Sequence, residues 1–188
     1  MNRQLFYDKV RDTLFGGKLS QGQVQGMEAI LDMAEGIVTD YRQLAYIMAT
    51  GYHETDKTMQ PIEEYGKGRN RTYGHKVKFS GKPYAVPDHV YYGRGFTQNT
   101  WYENYEKLTK ANTHGWDFLN NPSLLLQVVP SAWATIYAMT KGIYTGKKLS
   151  DYITGSKCDF FNARRIINGT DKAELIAGYA VRFMDAMQ

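Results

Sequence analysis

The sequence predicts one mainly α-helical domain with a loop-rich lobe over residues 55–99. Apolar residues recur at helical spacing before residue 54 and after residue 100, and recognisable start and stop residues bound most of these stretches. Between them the helical period is lost, and the chain collects six glycines and three prolines. Because a long irregular segment in a compact domain is uncommon unless it is functional, we expect functional residues in or beside this lobe. A length of 188 residues fits one globular domain, which we assign to residues 1–188.

Three helices are predicted before residue 54. The first carries an apolar stripe that ends at a pair of glycines, the usual stop signal. The second and third each begin at a capping box, Ser20 with Gln23 and Asp40 with Gln43. The third helix is expected to cover residues 41–53, so that residue 54 lies at its C-terminal end.

Similar signals predict the helices after residue 99. Their starts are assigned to Thr100 with Glu103, to Pro130, and to Asp171 with Glu174. Inside the loop-rich lobe, two short β-prone runs around a Ser-Gly-Lys turn predict a small hairpin over residues 76–86.

The cysteine content and the N-terminus bear on where the protein is made. Cys158 is the only cysteine, so no internal disulfide is expected, and a lone cysteine is usually an inert core residue. The first 18 residues mix charged and apolar side chains, unlike a signal peptide. No apolar stretch is long enough to span a bilayer. We therefore expect synthesis in the cytoplasm, and export only through a partner or through membrane damage.

A basic stripe runs from Lys67 to Lys82 inside the loop-rich lobe. It contains six lysine or arginine residues and no acidic residue, whereas the whole chain has a net charge of only +4. Such a stripe attracts polyanions, which include nucleic acid and an anionic bacterial surface. The alternative is an ordinary solvated loop.

Glu54 is the first candidate catalytic residue. A helix C-terminus carries partial negative charge, which disfavours a charged carboxylate and suits a residue that acts as a proton donor. Glu63 and Glu64 follow after a turn at Pro61, so a second carboxylate can return across a cleft from Glu54. Two carboxyl groups on opposite walls are what glycoside hydrolysis uses, with roughly 6.5 to 9.5 Å between them in inverting enzymes.

Two other kinds of site are disfavoured. The pair His53-Glu54 begins like a zinc-binding helix, but the second histidine of that motif is replaced by Lys57. No serine lies in a Gly-x-Ser-x-Gly elbow, and Cys158 has no nearby histidine. We therefore expect neither a metal nor another cofactor.

The run from Tyr91 to Thr100 is the second informative stretch. Gly93 and Gly95 flank Arg94 and permit backbone conformations that other residues avoid. By itself a Gly-Arg-Gly run fits a phosphate loop or a plain turn equally well. Gln98 and Thr100 follow near a helix start, where an amide and a hydroxyl can hold a water or sugar hydroxyls.

Four motifs together resemble glycoside hydrolase family 19, which contains plant-type chitinases and many bacteriophage endolysins. They are Ala45–Thr55 (AYIMATGYHET), Met59–Gly66 (MQPIEEYG), Tyr91–Tyr105 (YYGRGFTQNTWYENY) and Ala163–Gly169 (ARRIING). The resemblance implies a mainly helical, lysozyme-like fold with a cleft between two lobes. It also implies inverting hydrolysis of β-1,4 links between N-acetylated sugars.

The resemblance also implies roles for individual residues. Glu54 matches the general acid, and the general base is Glu64 or Glu63, with Glu64 favoured by the Gln-Pro-Ile-x-Glu pattern. Thr100 matches the residue that holds the attacking water. The candidate substrate-binding residues are Tyr92, Arg94, Gln98, Asn104, Asn168 and Arg182.

The short chain with one cysteine resembles the endolysin branch of the family. This branch implies a muramidase that cuts peptidoglycan between N-acetylmuramic acid and N-acetylglucosamine for host cell lysis. It acts in the periplasm after membrane permeabilisation, as a monomer without a separate wall-binding domain, and the basic stripe meets the anionic envelope. Alternatives are a chitinase, a lytic transglycosylase and a non-enzymatic basic antimicrobial protein. Nucleic-acid binding rests only on the basic stripe, and no specific nucleic acid is expected.

Overall fold

The computed structural model describes residues 1–188 and confirms the mainly helical fold. The helices are α1 (Arg3–Thr13), α2 (Gln21–Ala34), α3 (Tyr41–Glu54), α4 (Tyr102–Ala111), α5 (Val128–Lys141), α6 (Leu149–Tyr152) and α7 (Ala173–Met187). The strands are β1 (Ile62–Glu63), β2 (Arg94–Gly95), β3 (Ile153–Thr154) and β4 (Lys157–Cys158). Short 3₁₀ turns cover Thr72–His75, Pro122–Leu126 and Asn162–Ile166. None of the helices combines the length and the apolar character needed to cross a bilayer.

Helix α3 is the centre of the larger hydrophobic cluster. Every residue from Ala45 to Tyr52 is buried, as expected for a helix surrounded by others rather than lying at the surface. It packs against α7, while α2 packs against α5. A smaller cluster with Tyr91, Tyr105 and Trp133 lies beneath α4 and the start of α5. The last turns of α3, up to Tyr52, are therefore buried in the larger cluster.

Two of the predicted helix starts are right, one of them with a different partner. Ser20 and Gln23 form the complete capping box of α2. Asp40 caps α3 as expected, but its carboxylate accepts from the backbone N–H of Arg42. Gln43 does not close a box, because its side-chain amide donates to the carbonyl of Ile153 at 2.7 Å. The hydrogen bond from Gln43 to Ile153 therefore replaces the predicted bond within the capping box.

The other two predicted capping boxes are wrong. Helix α4 follows Trp101, which has a φ of +74° and gives no side-chain cap, and the carboxylate of Glu103 points elsewhere. The capping position of α7 is Lys172, one residue later than the predicted Asp171; Lys172 has a left-handed φ of +60°, and the helix starts at Ala173. In both places the helix begins after a residue with a positive φ, and no side-chain capping motif is formed.

The loop-rich lobe contains less regular structure than expected at one place and more at another. The predicted hairpin is reduced to a single bridge between Val77 and Pro83. Strands β1 and β2 form an antiparallel pair that sequence analysis missed, with Ile62 opposite Gly95 and Glu63 opposite Arg94. This pair carries one candidate base, with the other immediately after it.

The structure also corrects the assignment of Cys158 to the core. The residue lies on β4, which pairs with β3 in a second small antiparallel sheet, and it is exposed. Partial burial of the sulfur nevertheless raises the pKa of the Cys158 thiol.

Candidate active site

Glu54 is the last residue of α3, as predicted, and the turn that follows fixes its backbone. The buried hydroxyl of Thr55 donates to the carbonyl of Gly51 at 2.7 Å and accepts from the N–H of Met59 at 3.0 Å. Both contacts are buried, so the hydroxyl satisfies groups that a helix end leaves unpaired. The threonine of the His-Glu-Thr run therefore holds the turn that presents Glu54.

Close packing against α2 holds the same turn from the other side. Met59 has a φ of +51°, and its carbonyl oxygen lies against Gly26. A Cβ at Gly26 would lie 1.6 Å from that oxygen, so only glycine allows this approach. Gln60 adds a hydrogen bond of 2.6 Å from its amide to the carbonyl of Gly22.

Glu54 forms an ion pair with Arg164 that sequence analysis did not foresee. Nη1 of Arg164 lies 2.5 Å from Oε1 of Glu54, and the two side chains are 7% and 17% exposed, respectively. The guanidinium is itself held, because its Nε donates to the carbonyl of Asp171 at 3.1 Å. The positive charge of Arg164 compensates the partial negative charge of the helix C-terminus near Glu54. The contact is to Oε1, so Oε2 of Glu54 does not take part in it. The Ala163–Gly169 motif contains Arg164, but only the tertiary fold brings it to Glu54.

The neighbour of Glu54 in the motif is a neutral histidine. Burial lowers the pKa of His53, while the charge of Glu54 acts in the opposite direction. The lowered pKa favours the neutral form of His53, which adds no second cation beside Arg164.

A cleft of about 490 Å³ collects several predicted residues, and its lining includes Ile167 and Asn168 from the segment that follows Arg164. Those that line it are Gln98, Thr100, Asn104 and Asn168, together with Phe79, Thr97, Trp101, Tyr144, Thr145 and Ile167. The hydroxyl oxygens of Thr97 and Tyr144 are 2.7 Å apart. Burial raises the pKa of Tyr144 far above its usual range, and the charge of Glu54 acts in the same direction. Glu54 is thus within electrostatic range of the cleft wall.

Gln98 and Asn104 brace the cleft by hydrogen bonds within the protein. The amide of Gln98 donates to the carbonyls of Ile62 at 3.0 Å and Gly95 at 3.2 Å, which ties β1 to β2. Gly93 makes room for this side chain, because a Cβ there would lie 2.7 Å from Oε1 of Gln98. The amide of Asn104 donates to the carbonyl of Thr100 at 2.9 Å.

Glu64 is connected to the cleft through an aromatic pair. The hydroxyl of Tyr73 lies 3.1 Å from both carboxylate oxygens of Glu64, and the N–H of Gly93 donates to Oε2 at 3.2 Å. The ring of Tyr73 meets the ring of Trp101 edge to face, with centroids 5.4 Å apart. Since Trp101 lines the cleft, Glu64 is linked to that wall through Tyr73.

Glu63 has a different set of partners. Its carboxylate accepts from the hydroxyl of Tyr92 at 2.8 Å and lies 3.2 Å from Nζ of Lys67. These two hydrogen bonds, that of Tyr92 first, lower the pKa of Glu63 below its usual range. Glu63 is thus held as a carboxylate with both oxygens engaged.

Arg94 and Arg182, predicted to bind substrate, do not lie in the cleft. Arg94 is only 7% exposed. Its guanidinium donates to the hydroxyl of Tyr105 at 3.0 Å and lies 3.6 Å from the ring centre of Tyr92, so it stabilises the lobe from inside. Arg182 donates to the carbonyl of Thr13 at 3.0 Å, on an exposed face of α7. The arginine that contacts Glu54 is Arg164.

Some cations of the basic stripe are already engaged within the protein. Lys67 pairs with Glu63 and Lys76 with Asp88, and the amine of Lys78 lies 4.1 Å above the ring of Tyr102. The remaining exposed cations of the stripe are Arg69, Arg71 and Lys82. No three His, Cys, Asp or Glu side chains cluster in a way that could hold a metal ion.

This arrangement of a helix end, a cleft and a small-sheet lobe is the lysozyme-like fold of the family 19 chitinases. A bacterial family 19 chitinase is 21% identical and superposes with a TM-score of 0.71, over 98% of this chain and 93% of that chain. Chitinase C from Streptomyces griseus HUT6037 is 21% identical, with a TM-score of 0.68 over 98% of this chain and 75% of that chain. The class IV chitinase from Zea mays is 16% identical, with a TM-score of 0.65 over 98% and 93%.

At these identities the likeness establishes a shared fold. No family model and no curated protein sequence matches the chain. The resemblance drawn from the four motifs is therefore confirmed at the level of the fold.

Proposed function

We propose that the protein is a glycoside hydrolase that cleaves β-1,4 links between N-acetylated sugars by a two-carboxylate inverting mechanism. The observation that carries this proposal is the buried Glu54–Arg164 pair at the end of α3, since Ile167 and Asn168, just after Arg164, line a cleft to which Glu64 is linked through Tyr73 and Trp101. The shared fold with family 19 chitinases supports the same class of reaction.

In the proposed reaction Glu54 is the general acid. Arg164 binds Oε1 and so orients the carboxyl group. Glu54 takes up a proton on Oε2 before the reaction and passes it to the leaving oxygen as the C1–O bond breaks. The fixed turn at Thr55 keeps this group in place, which reduces the cost of reaching the reactive geometry.

Glu64 is the proposed general base, which takes a proton from the water that attacks C1. Tyr73 holds its carboxylate on the side of Trp101, and Thr100 lines the cleft close by in the chain. Glu63 is the weaker candidate, because the hydrogen bonds from Tyr92 and Lys67 lower its pKa and so make it a weaker base. The hydroxyl of Thr100 is proposed to hold the water.

Peptidoglycan is the proposed substrate, cut between N-acetylmuramic acid and N-acetylglucosamine during host cell lysis. Two features support it: the motif resemblance to the endolysin branch, and the exposed cations Arg69, Arg71 and Lys82, which suit an anionic envelope. The protein would then act on the wall after the membrane is permeabilised. Chitin is the second candidate, favoured by the fact that the similar solved structures are chitinases.

The direct test compares wild type with Glu54→Gln on purified peptidoglycan and on chitin oligomers. We expect turbidity loss with peptidoglycan, reducing sugar ends in the products by mass spectrometry, and at least a hundredfold loss of rate in Glu54→Gln. Glu106→Gln is the matched control, because Glu106 forms an i,i+4 pair with Lys110 away from Glu54. Anhydro-sugar ends would indicate a lytic transglycosylase. Near wild-type activity in Glu54→Gln would overturn the assignment.

A further inference from the structure

A short turn in the loop-rich lobe presents an exposed phenylalanine over the cleft. This tip hairpin, residues 76–84, is closed by hydrogen bonds from Lys78 N–H to the carbonyl of Lys82 at 2.8 Å and from Tyr84 N–H to the carbonyl of Lys76 at 2.9 Å. Phe79 lies at its end and is 76% exposed. Most of its ring is therefore available to a ligand in the cleft that it lines.

Phe79 stands between two cavities that join into one groove. It lines the cleft of about 490 Å³ and a second cavity of about 570 Å³, which continues toward Lys107 and the loop from Gly142 to Gly146. Trp101 lines both cavities as well. The rings of Phe79 and Trp101 meet edge to face with centroids 5.3 Å apart. The two rings therefore form one aromatic wall along the groove.

A carboxylate of α4 holds the tip hairpin in this position. The two oxygens of Glu103 accept from the backbone N–H of Phe79 at 3.1 Å and of Ser80 at 3.4 Å. The amine of Lys78 lies over the ring of Tyr102, next to Glu103 in the same helix. These contacts fix the backbone of the tip while leaving the face of Phe79 open.

We propose that Phe79 and Trp101 are a sugar-stacking wall that extends glycan binding from the cleft into the second cavity, and that Glu103 is the positioning residue for Phe79. This inference rests on the proposed function for its class of ligand, a β-1,4-linked chain of N-acetylated sugars. The flat apolar face of a sugar ring packs on an aromatic ring, while its hydroxyl and amide groups find Asn104, Lys107 and solvent in the groove.

Binding in a Glu54→Gln background tests the wall without turnover. The amount of protein that pellets with insoluble peptidoglycan and with chitin gives the apparent affinity. We expect Phe79→Ala to weaken binding about five- to tenfold to the glycan that is bound. Tyr41→Ala is the matched control, since Tyr41 is an exposed aromatic residue at the opposite end of α3 from Glu54. Unchanged binding by Phe79→Ala would overturn the proposal.

Glu103 is tested by steady-state kinetics on long and short oligomers. Glu103→Ala is expected to raise KM for long oligomers about threefold or more, with little change in kcat and in Tm. Glu103→Gln should restore part of the loss, because an amide oxygen still accepts from the tip. Glu106→Ala, on the same helix, serves as the control. An equal fall of kcat on short and long oligomers would indicate a general structural role and would contradict the assignment.

The outcomes separate this inference from the proposed function. If Glu54→Gln stays active, the catalytic assignment fails, whereas the binding difference between Phe79→Ala and Tyr41→Ala still decides the aromatic wall. If neither glycan binds to wild type or to Glu54→Gln, the aromatic wall is contradicted together with its class of ligand.

Discussion

At the scale of single residues, the contact between Arg164 and Glu54 determines how the candidate acid is held. Both side chains are mostly buried, so removing one partner leaves the other charge without compensation. The contact of Arg164 with Glu54 could not be predicted from the sequence, because 110 residues separate the two. Glu54 itself was predictable, since both its motif and its helix end are local properties.

Arg164→Met is expected to lower the free energy of unfolding by about 3 to 5 kcal/mol and to abolish most of the activity. Urea unfolding and peptidoglycan turbidity measure the two effects. In the Glu54→Gln background the same change should cost clearly less, since no buried charge is then left unpaired. Arg165→Met is the control, because Arg165 is exposed and the hydrogen bond that its side chain makes is to Asn162. Equal costs in both backgrounds would show that the pair is not coupled.

A second prediction separates the two candidate bases by pH. The hydrogen bond from Tyr92 is the main cause of the lowered pKa of Glu63, so Tyr92→Phe should raise that pKa toward the ordinary glutamate value. Carboxyl NMR titration measures this change. Because Glu64 is the proposed base, the acidic limb of kcat/KM should stay in place in Tyr92→Phe. A limb that moves to higher pH with the Glu63 titration would make Glu63 the base.

The same shift has a consequence for stability. A carboxylate with a lowered folded-state pKa stabilises the protein above its unfolded pKa, and this contribution is lost as the pH falls through the folded value. The difference in Tm between wild type and Tyr92→Phe should therefore be larger at pH 7 than at pH 3. A difference that is the same at both pH values would show that the hydrogen bond to the Glu63 carboxylate contributes nothing to stability.

At the scale of elements, the turn after α3 is held by the close approach of α2. Gly26→Ala places a methyl group on the carbonyl oxygen of Met59, so we expect a loss of about 1 to 3 kcal/mol or more in urea unfolding, together with reduced activity from a displaced Glu54. Gly22→Ala, one turn earlier, is the matched control. The added methyl group would contact only the flexible side chain of Gln60, at 3.4 Å. Alanine also has a higher helix propensity than glycine. A destabilisation of the same size in both variants would contradict this account.

The elements also show where prediction from sequence succeeds. The box at Ser20 and the cap at Asp40 depend on residues three or fewer positions apart, and both act as caps in the structure. The starts of α4 and α7 were misassigned because Trp101 and Lys172 take left-handed backbone conformations that their residue types do not indicate. The pairing of β1 with β2 was missed because each strand has two residues and about 30 residues separate them. Only long-range pairing defines that sheet.

At the scale of the whole molecule, charge is distributed unevenly between the loop-rich lobe and the helical part. Ion pairs neutralise Lys67 and Lys76, which leaves Arg69, Arg71 and Lys82 exposed to solvent. The charge pattern was visible in the sequence. The sequence did not show which of these cations are free to contact a partner, because the ion pairs with Glu63 and Asp88 are seen only in the structure.

Replacing Arg69, Arg71 and Lys82 together by glutamine is expected to slow lysis of outer-membrane-permeabilised cells at low salt. The effect should shrink as ionic strength rises, since the Debye length falls to about 8 Å at 0.15 M. Activity on short neutral oligomers should be unchanged. The control replaces three exposed lysines outside the lobe (Lys18, Lys141 and Lys148), which lowers the net charge equally. Equal slowing by both triple variants would assign the effect to total charge instead of to this surface.

The exposed position of Cys158 has a practical consequence for measuring motion in this molecule. Because the chain has one thiol and it lies on β4 at the surface, a maleimide dye or a nitroxide can be attached without removing any other cysteine. A second cysteine introduced at Ser80, in the tip hairpin, then gives a labelled pair. The distance between the two labels would report whether the hairpin closes on a glycan.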